Sequence, residues 1–240
     1  MGLLPKYKIE ELKREKREAK AAKKRKENTR SKIVRFLIVC EGARTEPNYF
    51  QALVKDKYSE VRDEKIVGEG KSTCALVNRT LQIKEELEQR RQLPFDRVWV
   101  VFDKDDFPDF NEAIKLADSL SFNCAWTNEA FELWYFLHFQ YLDAGISRHD
   151  YIIKLENEIR KHPNYENYKY KKNDPSVYKM LNTIGDENFA KQCAVRLRSF
   201  FEGDLDFKEH KPCTTVDLLV EELENPDLLP RRCNNKRRSI

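Results

Sequence analysis

The chain has 240 residues, 40% hydrophobic and 11% aromatic, enough for a proper core, while 36% are charged against the usual quarter. No run approaches the ~20 apolar residues of a membrane span and no apolar secretory core follows the N-terminus, so a membrane protein is excluded and a cytoplasmic one expected. The net charge of +4 conceals an acidic body between basic ends: residues 1–30 carry +7, the last ten residues +5, and residues 31–230 carry −8.

Residues 1–32 read as a basic arm, helical or disordered, rich in helix formers and poor in apolar residues. IVRFLIVC (Ile33 to Cys40) then reads as a strand buried on both faces. TEPNYFQALVKDKY follows as a helix with Thr45 as N-cap and Pro47 in its first turn. KIVG is a short strand, and STCALVNRTLQIKEELEQRR an amphipathic helix starting at Ser72. VWVVF is a third strand, DFNEAIKLADSL a third helix, and FNCAWT a fourth strand running into the helix NEAFELWYFLHF. Strand and helix alternate four times, which predicts an α/β domain over residues 33–140, a parallel four-stranded sheet flanked by helices. Residues 141–240 read as a helical C-terminal region ending in the basic tail. Its aromatic load predicts that it packs on the sheet domain as a cap.

In an open parallel sheet, ligands sit beyond the carboxyl ends of the strands. Glu41 directly follows the first strand, with Gly42 freeing the turn, and Asp103, Asp105 and Asp106 follow the third. If those strands are neighbours, the four carboxylates converge and need a compensating cation. Hard oxygen ligands with little histidine nearby suit Mg²⁺ or Mn²⁺. Such an ion neutralises a phosphodiester and stabilises its leaving oxygen, and a remaining glutamate handles a proton. Acids at strand ends also cap helices, the plainer use for Asp106 or Asp109 alone. Around this set, Arg44 could bind phosphate, Glu46 could orient Arg44 or cap its helix, and Lys71 at a helix start could attract phosphate. Glu132 could reach the metal site or serve its helix dipole, and His138 is more simply a satisfied histidine than a catalytic one.

EG followed two strands later by DxD resembles the Toprim signature of topoisomerases, primases and related nucleases. LIVCEGARTEPNYF, VWVVFDKDD, NEAFELWYFLHF and KPCTTVDLLVEEL, in that order from Ile33 to Leu223, resemble the RloB family, the AbiLii-like abortive-infection proteins of bacteria. The resemblance implies a Toprim-like fold and a Mg²⁺-dependent nuclease in anti-phage defence, often encoded beside an ABC- or AAA-type ATPase. It makes Glu41 the general acid or base and Asp103 and Asp105 metal ligands, with Asp106 as an accessory. Whether the substrate is DNA, tRNA or other RNA stays open, as does homo-oligomerisation. The basic ends are expected to supply much of the nucleic-acid affinity.

Three rival readings compete. GEGKST (Gly68 to Thr73) looks like a P-loop, but the position of its first glycine holds Lys65. A haloacid-dehalogenase-like phosphatase also ends a strand with DxD, but on the first strand, and with Thr or Val where this chain has Phe107. The third rival is a non-catalytic subunit that binds nucleic acid or an ATPase. His210 and Cys213 near Cys193 and Cys233 have a zinc-like spacing, but the six cysteines form no CxxC pair and read as reduced.

Overall fold

The computed structural model describes residues 33–60, 62–71 and 73–229, and in the arm residues 8, 14 and 16–18. Those arm residues are helical and exposed, with Arg14 3.7 Å from Glu18. Ser72, the rest of the arm and the basic tail lie outside the described residues.

Four strands, β1 (Val34–Cys40), β2 (Arg62–Gly68), β3 (Arg97–Lys104) and β4 (Asn123–Asn128), form an all-parallel sheet in the order β2-β1-β3-β4. The helices between them are α1 (Thr45–Asp56), α2 (Thr73–Arg91) and α3 (Phe110–Ser119). After β4 come α4 (Glu132–Leu137), α5 (Arg148–Ile159), α6 (Val177–Ile184), α7 (Glu187–Ser199) and α8 (Val216–Glu224). The predicted α/β class holds. β2 starts earlier than KIVG indicates, because its Arg-Asp-Glu start is polar, as an edge strand tolerates.

Alternation along the inner strands splits the core in two. Phe36, Ile38, Trp99 and Val101 face α1, α4 and the later helices, while Leu37, Val39, Val98 and Val100 face α2 and α3. All six residues of α4 are buried, so it shows no amphipathic stripe in the sequence. Helices α5 to α8 bury Tyr151, Leu155, Met180, Leu197 and Leu219 in the same cluster. The segment before α8 covers the outer edge of β4: Asn128 N–H donates to Cys213 O at 2.9 Å and Thr215 N–H to Trp126 O at 2.9 Å. A bridge between Thr127 and Thr214 completes that contact, so the open sheet edge is protected. Arg198 then fixes α7 to α8 through a two-pronged bond to Asp217 at 2.5 and 2.7 Å.

Candidate functional site: a carboxylate cleft

The chain leaves β1 toward β2 on one side and β3 toward β4 on the other, so the sheet's switch point lies between β1 and β3. Glu41 and Asp103 emerge there together. The Glu41 backbone N–H donates to Val101 O at 2.8 Å, and its side-chain Oε2 accepts from the Asp103 N–H at 3.1 Å. Gly42 leaves room for the Glu46 carboxylate: a Cβ there would stand 1.9 Å from Glu46 Oε2, so a larger residue would push that side chain aside. Gly68 is required by backbone packing, since its Cβ would lie 2.6 Å from Gly42 O. The two glycines let the β1 loop, the end of β2 and the Glu46 carboxylate close on one another.

Arg148 is the cation that sequence reasoning missed. Its Nη2 lies 2.8 Å from Asp105 Oδ1, 3.5 Å from Asp103 Oδ2 and 3.2 Å from Glu129 O. Ser147 and Asp150 form a capping box that starts α5 at this point, and the Arg148 backbone N–H donates to Glu129 Oε1 at 3.2 Å. In the sequence, ISRHD signals only a helix start; the fold carries that start to the sheet edge. Asp103 Oδ2 also accepts the Phe131 N–H at 3.0 Å, just ahead of α4.

The electrostatics are those of crowded acids. Burial drives the Asp103 carboxyl well above the usual range, and the Glu46 and Glu132 charges add to it. Burial likewise raises Glu41 to about 7, with Asp105 and Glu46 contributing and Arg148 opposing. Glu46 is also raised, first by burial, and its Oε2 is buried with no hydrogen-bond partner among the described residues. The cluster has one arginine ion-paired in its midst and an orphaned acceptor beside it.

Glu41, Glu46, Asp103 and Asp105 line a cleft of about 440 Å³ together with Arg44, Lys71, Arg148 and Lys172. Arg44 and Lys71 are exposed on its rim. Asp106 is exposed and is not among the lining residues. Glu132 is buried and accepts the Tyr170 hydroxyl at 2.8 Å, so it sits beneath the cleft rather than in it. Thr45 does not act as N-cap; it occupies the first turn of α1, and its hydroxyl meets Asn173 Oδ1 at 2.9 Å. That contact draws the turn carrying Lys172 over the cleft. Asp109 caps a different helix from the one it precedes: its carboxylate accepts Thr73 Oγ1 at 2.6 Å and the Cys74 N–H at 3.2 Å. The start of α2 thus already holds an anion of the chain itself, which speaks against a phosphate there.

The donors fit a hard divalent ion in kind, being carboxylate oxygens with one buried acceptor unsatisfied. Among the described residues, however, no group of three or more His, Cys, Asp or Glu side chains stands ready to hold a metal. Arg148 holds Asp103 and Asp105 instead, and an ion would have to take them from it.

His138 lies outside the cleft, buried against Trp134, with its Nδ1 2.9 Å from Trp134 O. Burial lowers its pKa to about 4. A base lowered on folding contributes stability that is complete above its unfolded pKa of ~6.5 and is lost as pH falls toward 4. The raised carboxylates act in the opposite sense, so the test is a difference. Between pH 7 and 4, wild type is expected to lose about 3 kcal/mol more than His138→Gln in denaturant titrations. Parallel pH profiles would show that His138 folds already charged.

No curated protein and no solved structure matches this chain. A family model described as RloB-like protein matches residues 36–223, from Phe36 within β1 to Leu223 at the end of α8, taking in the cleft and leaving both basic ends outside. The chain belongs to the RloB family.

Proposed function

We propose that the chain is a Mg²⁺- or Mn²⁺-dependent nuclease that cuts nucleic-acid phosphodiesters in bacterial anti-phage defence, working with an ABC- or AAA-type ATPase. One observation carries this reading: Glu41, Asp103 and Asp105 meet at the switch point of a parallel sheet, in a cleft whose other charged walls are Glu46 and the cations Arg44, Lys71, Arg148 and Lys172. Acids for a metal and bases for a phosphate share one opening. The Toprim-like pattern of EG and DxD on neighbouring strands supports it, and so does the RloB membership for the defence role and the ATPase.

Asp103 and Asp105 would hold the ion, with Glu46 as a further carboxylate of the same cleft. When bound, the ion would neutralise the scissile phosphodiester and stabilise its leaving oxygen. Arg148, anchored at the start of α5 by its backbone, would supply a guanidinium for the phosphate once an ion held the aspartates. Arg44, Lys71 and Lys172 hold the flanking backbone, and Glu41 handles the proton of the attacking or leaving oxygen.

One observation favours a non-catalytic subunit instead: Arg148 satisfies Asp103 and Asp105, and Asp103 also holds the Phe131 N–H, so the acids have a structural use. The experiment that separates the two is incubation of the purified chain with Mg²⁺ or Mn²⁺ and a panel of DNA, tRNA and other RNA, with and without a cognate ATPase. Divalent-dependent cleavage of any member is the expected result. Intact substrates under every condition favour the binding subunit.

A further inference from the structure

A second cavity of about 690 Å³ lies among residues 165–183 and is lined by Tyr165, Tyr168, Lys169, Lys171 and Lys179. We propose that it is a track for single-stranded nucleic acid leading into the carboxylate cleft. The inference rests on the nuclease reading for its destination.

The two cavities are the two sides of one turn. Residues 171–174 close on themselves through the Asp174 N–H and Lys171 O at 3.2 Å. Lys171 and Asp174 line the second cavity, while Lys172 and Asn173 line the first. The turn is held in place from outside: Asn48 Nδ2 donates to Asn173 O at 3.1 Å and Thr45 to Asn173 Oδ1. The linings of the two cavities therefore adjoin at this one turn.

The second cavity has the chemistry of a strand-binding surface. Lys169, Lys171 and Lys179 make no ion pair among the described residues, so their charges are available to a polyanion. The one carboxylate of the lining, Asp174, is engaged by Ser176 at 2.9 Å to its N–H and 2.7 Å to its hydroxyl. Tyr168 lines the cavity with its hydroxyl buried. Tyr165 stands beside it with ring centroids 6.4 Å apart and planes at 65°, an edge-to-face pair that packs on the core from one side and lines the cavity on the other, where a base would meet the half-exposed Tyr165. Lys179 stands on α6, while residues 165–174 have no helix or strand of their own but are pinned: Arg160 Nε donates to Tyr168 O at 2.8 Å and the Tyr170 N–H to Glu156 Oε1 at 2.8 Å. A pinned irregular segment with lysines and tyrosines on one side selects unpaired bases, because a duplex keeps its base faces stacked inside.

The test measures binding and chemistry separately. Short fluorescent oligouridylate and oligodeoxythymidylate are titrated without divalent ion into the full chain and into a Lys169→Ala, Lys171→Ala, Lys179→Ala variant. The variant is expected to lose at least about tenfold in affinity at low salt, and its log–log salt slope to become shallower by about 2. Its melting temperature and its metal-dependent hydrolysis of bis(4-nitrophenyl) phosphate should be unchanged. Tyr165→Ala should weaken the single strands and leave duplex binding as it is. Unchanged affinity and slope in the triple variant overturn the track even if hydrolysis stands. So does an absence of strand binding by wild type, or equal competition by polyglutamate, which would mark an acidic protein's surface. Lysine-dependent binding without hydrolysis of any phosphodiester keeps the track and removes the nuclease.

Discussion

Glu41→Gln and Asp103→Asn are each expected to lower phosphodiester cleavage by at least ~10³-fold while the melting temperature holds or rises. Both replacements preserve shape and the local bonds. A glutamine at 41 can still accept the Asp103 N–H, and an asparagine at 103 can still accept the Phe131 N–H. Arg148 keeps Asp105 at 2.8 Å in either variant. What each replacement removes is negative charge, which a divalent ion and a proton transfer both require. Stability should not suffer, because the cluster is overcrowded: burial holds Asp103 far above the ordinary carboxylate range and raises Glu41 to about 7. Removing a disfavoured buried charge commonly stabilises at the expense of activity. Turnover and thermal melts on matched preparations read both halves. Full activity in either variant removes the metal-centred mechanism, and a collapse in stability shows that the acids chiefly hold the fold.

The second large effect concerns the helices after β4. A chain ending at Tyr141 is expected not to fold. It would lose Tyr151, Leu155, Ile159, Tyr178, Leu181, Leu197, Leu219 and Leu223 from the core that encloses Trp134 and Phe136. At ~1.5–3 kcal/mol for each large buried side chain, that loss is as large as the ~5–15 kcal/mol by which domains are stable, or larger. It would also take from the buried Arg62 guanidinium its bond to Leu223 O, leaving it Val54 O at 2.6 Å and Lys57 O at 2.8 Å. Circular dichroism and a thermal melt check this. A cooperative transition in the shortened chain would show that the sheet and its first helices form an independent unit.

Much of this was legible before any coordinates. Alternating apolar strands and amphipathic helices gave the parallel sheet, because each element's period reflects the side it buries. The position of acids directly after β1 and β3 gave Glu41 and Asp103, because strand ends in such a sheet define the ligand side. What stayed hidden depends on contacts across long stretches of sequence. Arg148 lies 45 residues from Asp103, on a helix whose local pattern says nothing of the sheet. Asn173 fixes the turn over the cleft from 128 residues beyond Thr45, and it takes the hydroxyl that local rules would assign to a helix cap. Asp106 shows the converse. Like Asp103, the last acid within β3, and Asp105 just past it, Asp106 is an acid at this strand end, but the chain has turned by then and leaves it in solvent.

The central claim is that the carboxylate cleft takes a hard divalent ion in exchange for Arg148. Titrating Mn²⁺ into the purified chain and reading free ion by electron paramagnetic resonance tests it without any substrate. Wild type is expected to bind Mn²⁺ in the cleft, Arg148→Ala to bind it at least about tenfold more tightly because the competing cation is gone, and Asp103→Asn to lose that site. Mn²⁺ that stays free at millimolar concentration in both wild type and Arg148→Ala, or that binds Asp103→Asn as well as wild type, would contradict the account.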